Sequence, residues 1–244
     1  MGRLLMKLAG NVVLVTGSGR RMGRAMALAF ARNGANVVVN AVADRASLEQ
    51  TVADCRALGV QAIGCLVDIR DRAGVAAMVA QAKADLGGPI DILVNNPAPR
   101  PETPFEQISP EEWRHVTSTI LDGAFECTQA VIGDMVALGR GTVINIAGLS
   151  GQAGEVNRAH VVAAKGGLIA LTKALAHEYA AKGIIVNCVS PTRIAGGGAG
   201  KTGITPVGRQ GTQAEVASLV CYLASEDARF ITGQVYAING GQYM

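Results

Sequence analysis

The stretch VTGSGRRMGRAMALAF, residues 15–30, decides the fold, because it joins a short apolar run to a helical pattern through a glycine-rich turn. The run that leads into it, NVVLV, is continuous and β-branched, which is typical of a strand buried on both faces. Gly17, Gly19 and Gly23 leave room for the backbone to approach a phosphate, which would lie at the N-terminus of the following helix. The stretch therefore predicts a strand, a phosphate-binding turn and a helix.

The same strand pattern recurs along the chain, and most of the runs are separated by helix-length segments. The later runs are NVVVNAV, VQAIGCLVD, PIDILVNN, GTVINIAG, GIIVNCVS and GQVYAING. This alternation predicts an α/β protein, with a doubly wound, seven-stranded parallel sheet covered by helices on both faces. We expect a single Rossmann-type domain over residues 1–244, because composition shows no break along the chain.

Composition and charge exclude several classes of partner. The net charge of +3 is small and forms no dense basic stripe, so we expect no nucleic-acid partner. We also expect no signal peptide, no membrane partner and no metal site. The cysteines lie far apart without a CxxC pair, which is typical of reduced, buried thiols in a cytoplasmic protein. They are Cys55, Cys65, Cys127, Cys188 and Cys221.

The end of the second predicted strand indicates which dinucleotide would bind. An NAD site usually offers a carboxylate there, which accepts a hydrogen bond from the ribose 2′-hydroxyl. Here the strand ends at Asn40, and the nearest acid, Asp44, lies several residues further on. Arg20, Arg21 and Arg45 supply guanidinium groups, which bind phosphate oxygens well. The pattern favours NADP(H) over NAD(H) and makes Asn40 a candidate cofactor contact.

Several segments resemble the short-chain dehydrogenase/reductase family, and the resemblance covers nearly the whole chain. TGSGRRMG resembles the family's TGxxxGxG turn with Arg21 at the middle glycine, CLVDIRD its adenine-binding segment, and LVNNPA its NNAG segment. VNCVSPTRI resembles the stretch that touches the nicotinamide, and the C-terminal segment from GRQG onward is also similar. With Asn40, the resemblance implies these cofactor-binding residues: Gly17, Ser18, Gly19, Arg20, Arg21, Met22, Gly23, Asp68, Ile69, Asn95, Asn96, Lys165, Pro191, Thr192 and Ile194.

The family's catalytic positions are mostly occupied by residues without a proton donor. Its members usually reduce a carbonyl with a tyrosine acid, a lysine that binds the nicotinamide ribose, a polarising serine and a helix asparagine. By resemblance, these positions fall on Val161, Lys165, Gly148 and Ile120. Lys165 alone keeps the expected side chain, so we interpret it as a cofactor ligand first and a catalytic residue only if another acid is present.

Other side chains near these positions are possible replacements. His160 is one, since an imidazole can act as an acid, but it precedes Val161 and so points about 100° away on a regular helix. Ser150 would lie about 6–7 Å beyond Gly148 in an extended chain, where a turn-forming role is expected. Arg158 could bind an anionic substrate, although we favour a solvated arginine. The alternative for His160 is an ordinary exposed or interfacial histidine.

Three hypotheses of function remain open at this point. The first is an atypical NADP(H)-linked oxidoreductase that acts on a small carbonyl or alcohol substrate. The second is a dinucleotide-binding regulatory or partner protein with a degenerate active site. The third is non-redox lyase or isomerase chemistry in the same pocket. The resemblance implies a homodimer or homotetramer, and the glycine-rich segment at about 191–211 is interpreted as a substrate-side loop.

Overall fold

The computed structural model describes residues 8–196 and 205–244, and a parallel sheet of seven strands forms its centre. The order across the sheet is β3-β2-β1-β4-β5-β6-β7, and every neighbouring pair is parallel. The strands are β1 (Val12–Val15), β2 (Asn36–Ala41), β3 (Ala62–Leu66), β4 (Ile92–Asn95), β5 (Gly141–Ile146), β6 (Ile184–Pro191) and β7 (Val235–Ile238). Each predicted run forms one of these strands, so the predicted α/β fold is confirmed.

Helices cover both faces of the sheet. Within the described ranges they are α1 (Arg21–Arg32), α2 (Arg45–Arg56), α3 (Arg72–Asp85), α4 (Pro110–Thr117), α5 (Gly123–Leu138), α6 (Ser150–Ala153), α7 (Ala159–Tyr179) and α8 (Gln213–Leu223). Short 3-10 turns occupy Phe105–Gln107, Ala180–Lys182 and Glu226–Ala228. Helices α1, α2 and α8 share one buried cluster, and α3, α5 and α7 contribute to another.

Alternation along each strand divides the core between these two clusters. Val13 and Val15 of β1 pack on the α1 side, whereas Val12 and Leu14 pack on the α3 side. Successive strand residues point to opposite faces, so a strand covered on both sides must be apolar throughout. This is the physical reason why the strands of this chain read as continuous apolar runs.

A π-helical turn, Ser118–Asp122, joins α4 to α5 without a break in the helical path. Such turns are rare and occur mostly at functional sites. Ile120, which the sequence resemblance aligns with the family's asparagine, lies inside this turn and is buried. The π-helical backbone is therefore present at this position, although the side chain there is apolar.

One helix of the described ranges, Ala159–Lys182, is long and apolar enough to cross a membrane by length and composition alone. A core helix passes the same test, and this one packs against the sheet and α6 in the present fold. Its residues Leu168 and Ala176 belong to two buried clusters. Apolar side chains of α7 thus pack inside the domain.

The five cysteines are buried and form no disulfide among the described residues, as the sequence predicts. Burial raises the pKa of Cys55 to about 11 and that of Cys127 to about 12. These thiols therefore stay protonated near neutral pH and behave as small apolar groups.

Candidate functional site

The candidate site lies at the carboxyl ends of β1 and β4, where the strand order reverses. β1 pairs with β2 on one side and with β4 on the other, so the connections leave in opposite directions and open a crevice between them. Ligands of open α/β sheets bind in this crevice. The phosphate loop (residues 16–23), the proline-rich loop (residues 96–104) and the start of α7 all follow strand ends at this edge.

The phosphate loop is closed tightly onto itself. A Cβ placed on Gly23 would lie 2.3 Å from the Gly17 carbonyl oxygen and 2.8 Å from the Ser18 Cα, so only glycine fits there. Ser18 Oγ donates to the Val15 carbonyl at 2.6 Å and accepts from the Asn40 backbone N–H at 3.1 Å. The loop is therefore held in one shape before any ligand arrives.

Asn40 holds this loop from inside the protein. Its Oδ1 accepts from the Gly17 N–H at 3.1 Å, and its Nδ2 donates to the carbonyls of Val67, at 2.9 Å, and Cys65, at 3.3 Å. The residue is 1% exposed, so its amide has no free group to offer a ribose. The expected direct contact with the cofactor is therefore corrected to a positioning role. The side chain at the open end of β2 is Ala41, which carries no carboxylate.

The two asparagines at the end of β4, Asn95 in the strand and Asn96 just after it, also serve the fold around the loop. Asn96 Nδ2 donates to the carbonyls of Thr16, at 3.0 Å, and Gly17, at 3.2 Å. Asn95 Nδ2 donates to Asn145 Oδ1 at 2.9 Å, whereas its own Oδ1 is buried without a partner in the described residues. Asn96 thus fastens the phosphate loop to β4, and Asn95 lies in a buried polar chain beneath the crevice.

The N-terminus of α1 is open for an anion. Helices α2, α3, α4 and α8 begin with an Asp, Ser or Thr side chain that accepts a backbone N–H. α1 instead begins after Arg20, whose side chain is no acceptor and makes no cap bond in the described structure. Arg20 and Arg21 are exposed, and Met22 is half-buried beside them. Free backbone N–H groups with two adjacent guanidiniums fit the pyrophosphate of a dinucleotide.

Arg21 has a backbone conformation that is usual for glycine. Its φ is +51°, in the left-handed region where non-glycine residues are uncommon. Asn157 and Arg193, with φ of +59° and +51°, border the same crevice from the segments before α7 and after β6. Strained residues of this kind concentrate at functional sites.

The two residues predicted to contact adenine lie in different settings. Asp68 is half-buried and accepts from Arg70 through its guanidinium and its backbone N–H, which holds the pKa of the carboxyl below its usual range. Ile69 is 3% exposed, and a Cβ on Gly123 would lie 2.5 Å from its Cδ1. Ile69 therefore packs on α5, while Asp68 remains at the surface.

Lys165 is buried at the centre of the site. It is 3% exposed, and its Nζ donates to the Ile146 carbonyl at the end of β5. Burial, together with repulsion from the Arg100 guanidinium, lowers the pKa of Lys165 to about 7. α6 packs directly on this part of α7, because a Cβ on Gly151 would lie 2.7 Å from the Lys165 Cβ. The lysine is thus only partly protonated near pH 7.

The positions that the resemblance assigns to the family's tyrosine and asparagine are occupied by packed apolar side chains. Val161 and Ile120 are 3% and 2% exposed and belong to the same small buried cluster, with Ala98 packed against it. Gly148 leaves space, since a Cβ there would lie 3.8 Å from Ser150 Oγ. The chain is not extended here but turns into α6 at Ser150, in agreement with the turn-forming role expected for that residue. A hydroxyl therefore lies close to Gly148.

His160 is part of a buried polar group that the sequence did not reveal. It is 0% exposed, and its Nε2 lies 3.0 Å from Glu112 Oε1. Thr103 Oγ1 donates to the same oxygen at 2.7 Å, and this bond, with the His160 contact, holds the pKa of Glu112 below its usual range. The ionised carboxylate makes Nε2 the protonated nitrogen. The alternative of an exposed or interfacial histidine is therefore wrong.

Two atoms of this region are buried without partners in the described part of the chain. One is His160 Nδ1, and the other is Arg158 Nε. The Arg158 side chain is 14% exposed, and its guanidinium pairs with Glu102 and, at 3.2 Å, with Glu155. The interpretation of Arg158 as a solvated arginine is corrected accordingly. An unpartnered buried polar atom is unfavourable by about 1–3 kcal/mol and calls for a functional explanation.

The substrate-side loop is described at both of its ends. Pro191 ends β6, the Thr192 N–H donates to the Ile238 carbonyl at 3.2 Å, and Ile194 forms a bridge with Gly211. Arg209 pairs with Glu215 at 2.5 Å, which fastens the second end to α8. Residues 197–204 of the predicted loop lie outside the described residues. No group of three or more potential metal ligands occurs in the ranges that the structure describes.

The chain is similar to known proteins over nearly its whole length. Residues 17–242 match the family model described as enoyl-(acyl carrier protein) reductase. The 3-oxoacyl-(acyl-carrier-protein) reductase FabG of Staphylococcus aureus (strain Mu50) is 35% identical over 240 residues, covering 95% of this chain and 97% of that protein. The enzyme of the same name from Escherichia coli (strain K12) is 35% identical over 248 residues, covering 98% and 100%. A solved structure described as a short-chain alcohol dehydrogenase from Sinorhizobium meliloti 1021 has a TM-score of 0.92 and 32% identity, with 98% of each chain covered.

Proposed function

The chain belongs to the short-chain dehydrogenase/reductase family, and from this we propose that it is an atypical NADP(H)-linked oxidoreductase acting on a small carbonyl or alcohol substrate. Its relatives are reductases by name, and the open N-terminus of α1 fits a dinucleotide pyrophosphate. The proposal departs from the family pattern at the acid, which is His160, oriented by Glu112, in place of a tyrosine.

One observation carries this assignment. His160 adjoins the tyrosine position, and its Nδ1 is buried without a partner in the described structure while Nε2 lies 3.0 Å from Glu112. A carboxylate that accepts from one ring nitrogen stabilises the imidazolium and fixes which nitrogen exchanges the proton. Such a pair can act as a general acid–base catalyst near neutral pH.

The remaining residues have roles that follow from their positions. NADP(H), when bound, supplies or accepts the hydride. His160 Nδ1 gives a proton to the carbonyl oxygen during reduction and takes it back during oxidation. Ser150 Oγ, near the serine position, donates a hydrogen bond to that oxygen as charge develops on it. Lys165 binds the nicotinamide ribose from the floor of the site, where its Nζ lies against the Ile146 carbonyl.

The preference for NADP(H) rests on the charges around β2. Residues 41–43 at the end of β2 carry no carboxylate, and Asp44 is turned to Ser47, whose N–H and hydroxyl it accepts at 3.1 and 2.7 Å. Arg20 is exposed and has no ion pair within the described ranges. A 2′-phosphate there would meet a free guanidinium. We also propose a cytoplasmic homodimer or homotetramer, in line with five free, buried thiols and the family resemblance.

Turnover assays with matched histidine variants test the assignment. NADPH consumption is followed by absorbance with a small 3-oxoacyl thioester and a panel of ketones and aldehydes. We expect His160→Gln to lower kcat by about 10²–10⁴-fold and to remove its ionisation from the pH profile, with NADPH affinity unchanged. His177→Gln, on the exposed face of the same helix, is the control. Equal kcat values for His160→Gln and wild type would refute the role of His160.

A second candidate is a dinucleotide-binding partner protein without catalysis. The observation that favours it is the packing of Val161 with Ile120 in one buried apolar cluster, which replaces two donors at once. It predicts NADPH binding with no turnover of any substrate in the panel. Non-redox lyase or isomerase chemistry instead predicts substrate conversion while the absorbance of NADPH stays constant.

A further inference from the structure

The proline-rich loop holds Arg100 in a defined place between the two halves of the crevice. Prolines at 97, 99, 101 and 104 restrict φ along this loop. At one end, a Cβ on Gly17 would lie 3.0 Å from the Pro97 Cγ, so the loop touches the phosphate loop. At the other end, the Thr103 N–H donates to the Asn157 carbonyl at 2.8 Å, just before α7. Arg100 therefore lies in a conformationally restricted loop that connects the phosphate loop with the start of α7.

Arg100 has no hydrogen-bond or ion-pair partner among the residues that the structure describes. The nearby carboxylates are already engaged: Glu102 and Glu155 with Arg158, and Glu112 with His160. The side chain is reachable by solvent, yet the surrounding protein lowers the pKa of Arg100 through burial. That combination is expected of a guanidinium lying in a cleft.

The charges facing Arg100 are positive. Repulsion from Arg158 and Arg21 adds to the lowering of the pKa of Arg100, and Arg100 in turn repels Lys165. Positive side chains therefore surround Arg100, and among the described residues only Arg158 of this group is paired with carboxylates. Such an arrangement is unfavourable by itself, and a bound anion would relieve it. The buried Arg158 Nε, which lacks a partner in the described ranges, is a further unused donor at the same place.

Resting on the proposed oxidoreductase function, we propose that the substrate carries an anionic group, a carboxylate or a phosphate, which Arg100 binds on the substrate side of Lys165. Arg158 lines the same subsite from the start of α7. Because Arg158 is held by its ion pairs and Arg100 is carried by a loop that is anchored at both ends, they would orient the reacting carbonyl toward the nicotinamide and His160. The pyrophosphate of the cofactor has its own place at α1 and so leaves Arg100 free for the substrate.

Binding of small anions to the cofactor complex tests this proposal without requiring turnover. Inorganic phosphate and succinate are titrated calorimetrically into the protein saturated with NADP⁺, so that the cofactor already fills the phosphate loop. We expect Arg100→Met to weaken anion binding by about 10- to 100-fold, as for loss of a hydrogen-bonded charge. Arg114→Met is the control, because Arg114 is an exposed arginine on α4 whose side chain is 75% accessible.

The outcomes separate this inference from the proposed function. Arg100-dependent anion binding supports the inference even if no substrate of the panel is reduced. The inference is overturned if Arg100→Met binds the anions as wild type does, or if it loses NADP⁺ affinity instead. Where turnover is found, acetoacetate and its methyl ester form a matched pair: a lower KM for the acid that disappears in Arg100→Met supports the inference, and equal KM values contradict it.

Discussion

The two ends of the crevice are built in opposite ways. At the phosphate end, the polar groups of Asn40, Asn96 and Ser18 bond to neighbouring protein atoms. At the substrate end, His160 Nδ1 and Arg158 Nε are buried without partners in the described part of the chain. Buried polar atoms in folded proteins are nearly always bonded, so the exceptions mark where an external group is expected.

This difference separates the polar groups that stabilise the fold from those that are available to bind or react with a ligand. The phosphate end is shaped by sterics and closed hydrogen bonds, and substitutions there should change stability and cofactor binding together. The substrate end is held by side-chain pairs from distant segments, and substitutions there should change turnover or anion binding more than folding. The predictions that follow test this contrast.

The largest effect is expected from Gly23→Ala at the phosphate end. The new Cβ would lie 2.3 Å from the Gly17 carbonyl oxygen, so the loop must move. We expect a loss of about 3 kcal/mol in the free energy of unfolding, together with loss of NADPH binding. Urea denaturation and fluorescence titration measure the two effects.

Gly133→Ala in α5 is the matched control. No atom lies within 4 Å of a Cβ at Gly133, and the residue is inside a helix. Alanine there should raise the free energy of unfolding by about 0.5–1 kcal/mol. Similar losses for both variants would show that Gly23 has no special steric role.

Asn40→Leu should have the next largest effect. It removes the acceptor of the Gly17 N–H and the donor to two buried carbonyls. We expect a loss of about 2–3 kcal/mol in urea denaturation and weaker NADPH binding through displacement of the loop. Gln50→Leu, an exposed polar residue on α2, is the control. Weaker NADPH binding without any loss of stability would instead indicate direct contact between Asn40 and the cofactor.

We expect the free energy of unfolding of the protein to depend on pH through Lys165, which lies at the substrate end of the crevice. The pKa of Lys165 is about 7 in the folded protein, below the ordinary 10.5 of an unfolded lysine. Between these values the unfolded chain binds more protons, so the free energy of unfolding from this group rises with pH. The slope is at most about 1.4 kcal/mol per pH unit. Lys165→Met should remove this rise between pH 7 and 9 without cofactor.

Lys173→Met, an exposed lysine on the same helix, is the control for that experiment. It should keep the pH dependence of the wild-type chain. If Lys165→Met and Lys173→Met show the same curve as wild type, Lys165 is charged throughout this range, and the burial effect described for it is wrong.

The smallest effect on stability is expected from Arg21→Gly. Glycine relieves the left-handed conformation, worth about 1 kcal/mol, but it adds a comparable entropy cost to folding. The free energy of unfolding should therefore change by less than about 0.5 kcal/mol. NADPH affinity should fall about tenfold with loss of the guanidinium. Unchanged affinity would show that Arg21 does not contact the cofactor phosphates.

Much of the cofactor end could be predicted because its signals are local. Gly17 and Gly23 belong to one turn, and Asn96 follows directly from a recognisable strand. Even there, the role of Asn40 could not be predicted. Its place near the end of β2 predicted that its side chain would face the crevice. The side chain instead points into the protein, where the carbonyls of Cys65 in β3 and of Val67 just after β3 accept hydrogen bonds from its Nδ2.

The substrate end could be predicted only in part. The resemblance picked out Val161, Gly148 and Lys165 from spacing alone, because they belong to one recognisable segment pattern. Glu112 and Arg100 were missed, because nothing in the residues around them indicates a partner. Glu112 follows a helix-capping serine and resembles any first-turn acid, and Arg100 resembles any loop arginine.

The sequence by itself determined the strands, the helices, their order and the tight phosphate turn of this protein. Hydrophobic periodicity and glycine sterics act over a few residues, so a linear pattern is enough to specify them. Only the tertiary structure decided which polar groups meet. His160 reaches Glu112 across 48 residues, and Arg158 reaches Glu102 across 56. Those pairs, and the atoms left without partners beside them, depend on how the chain packs and therefore leave no local trace in the sequence.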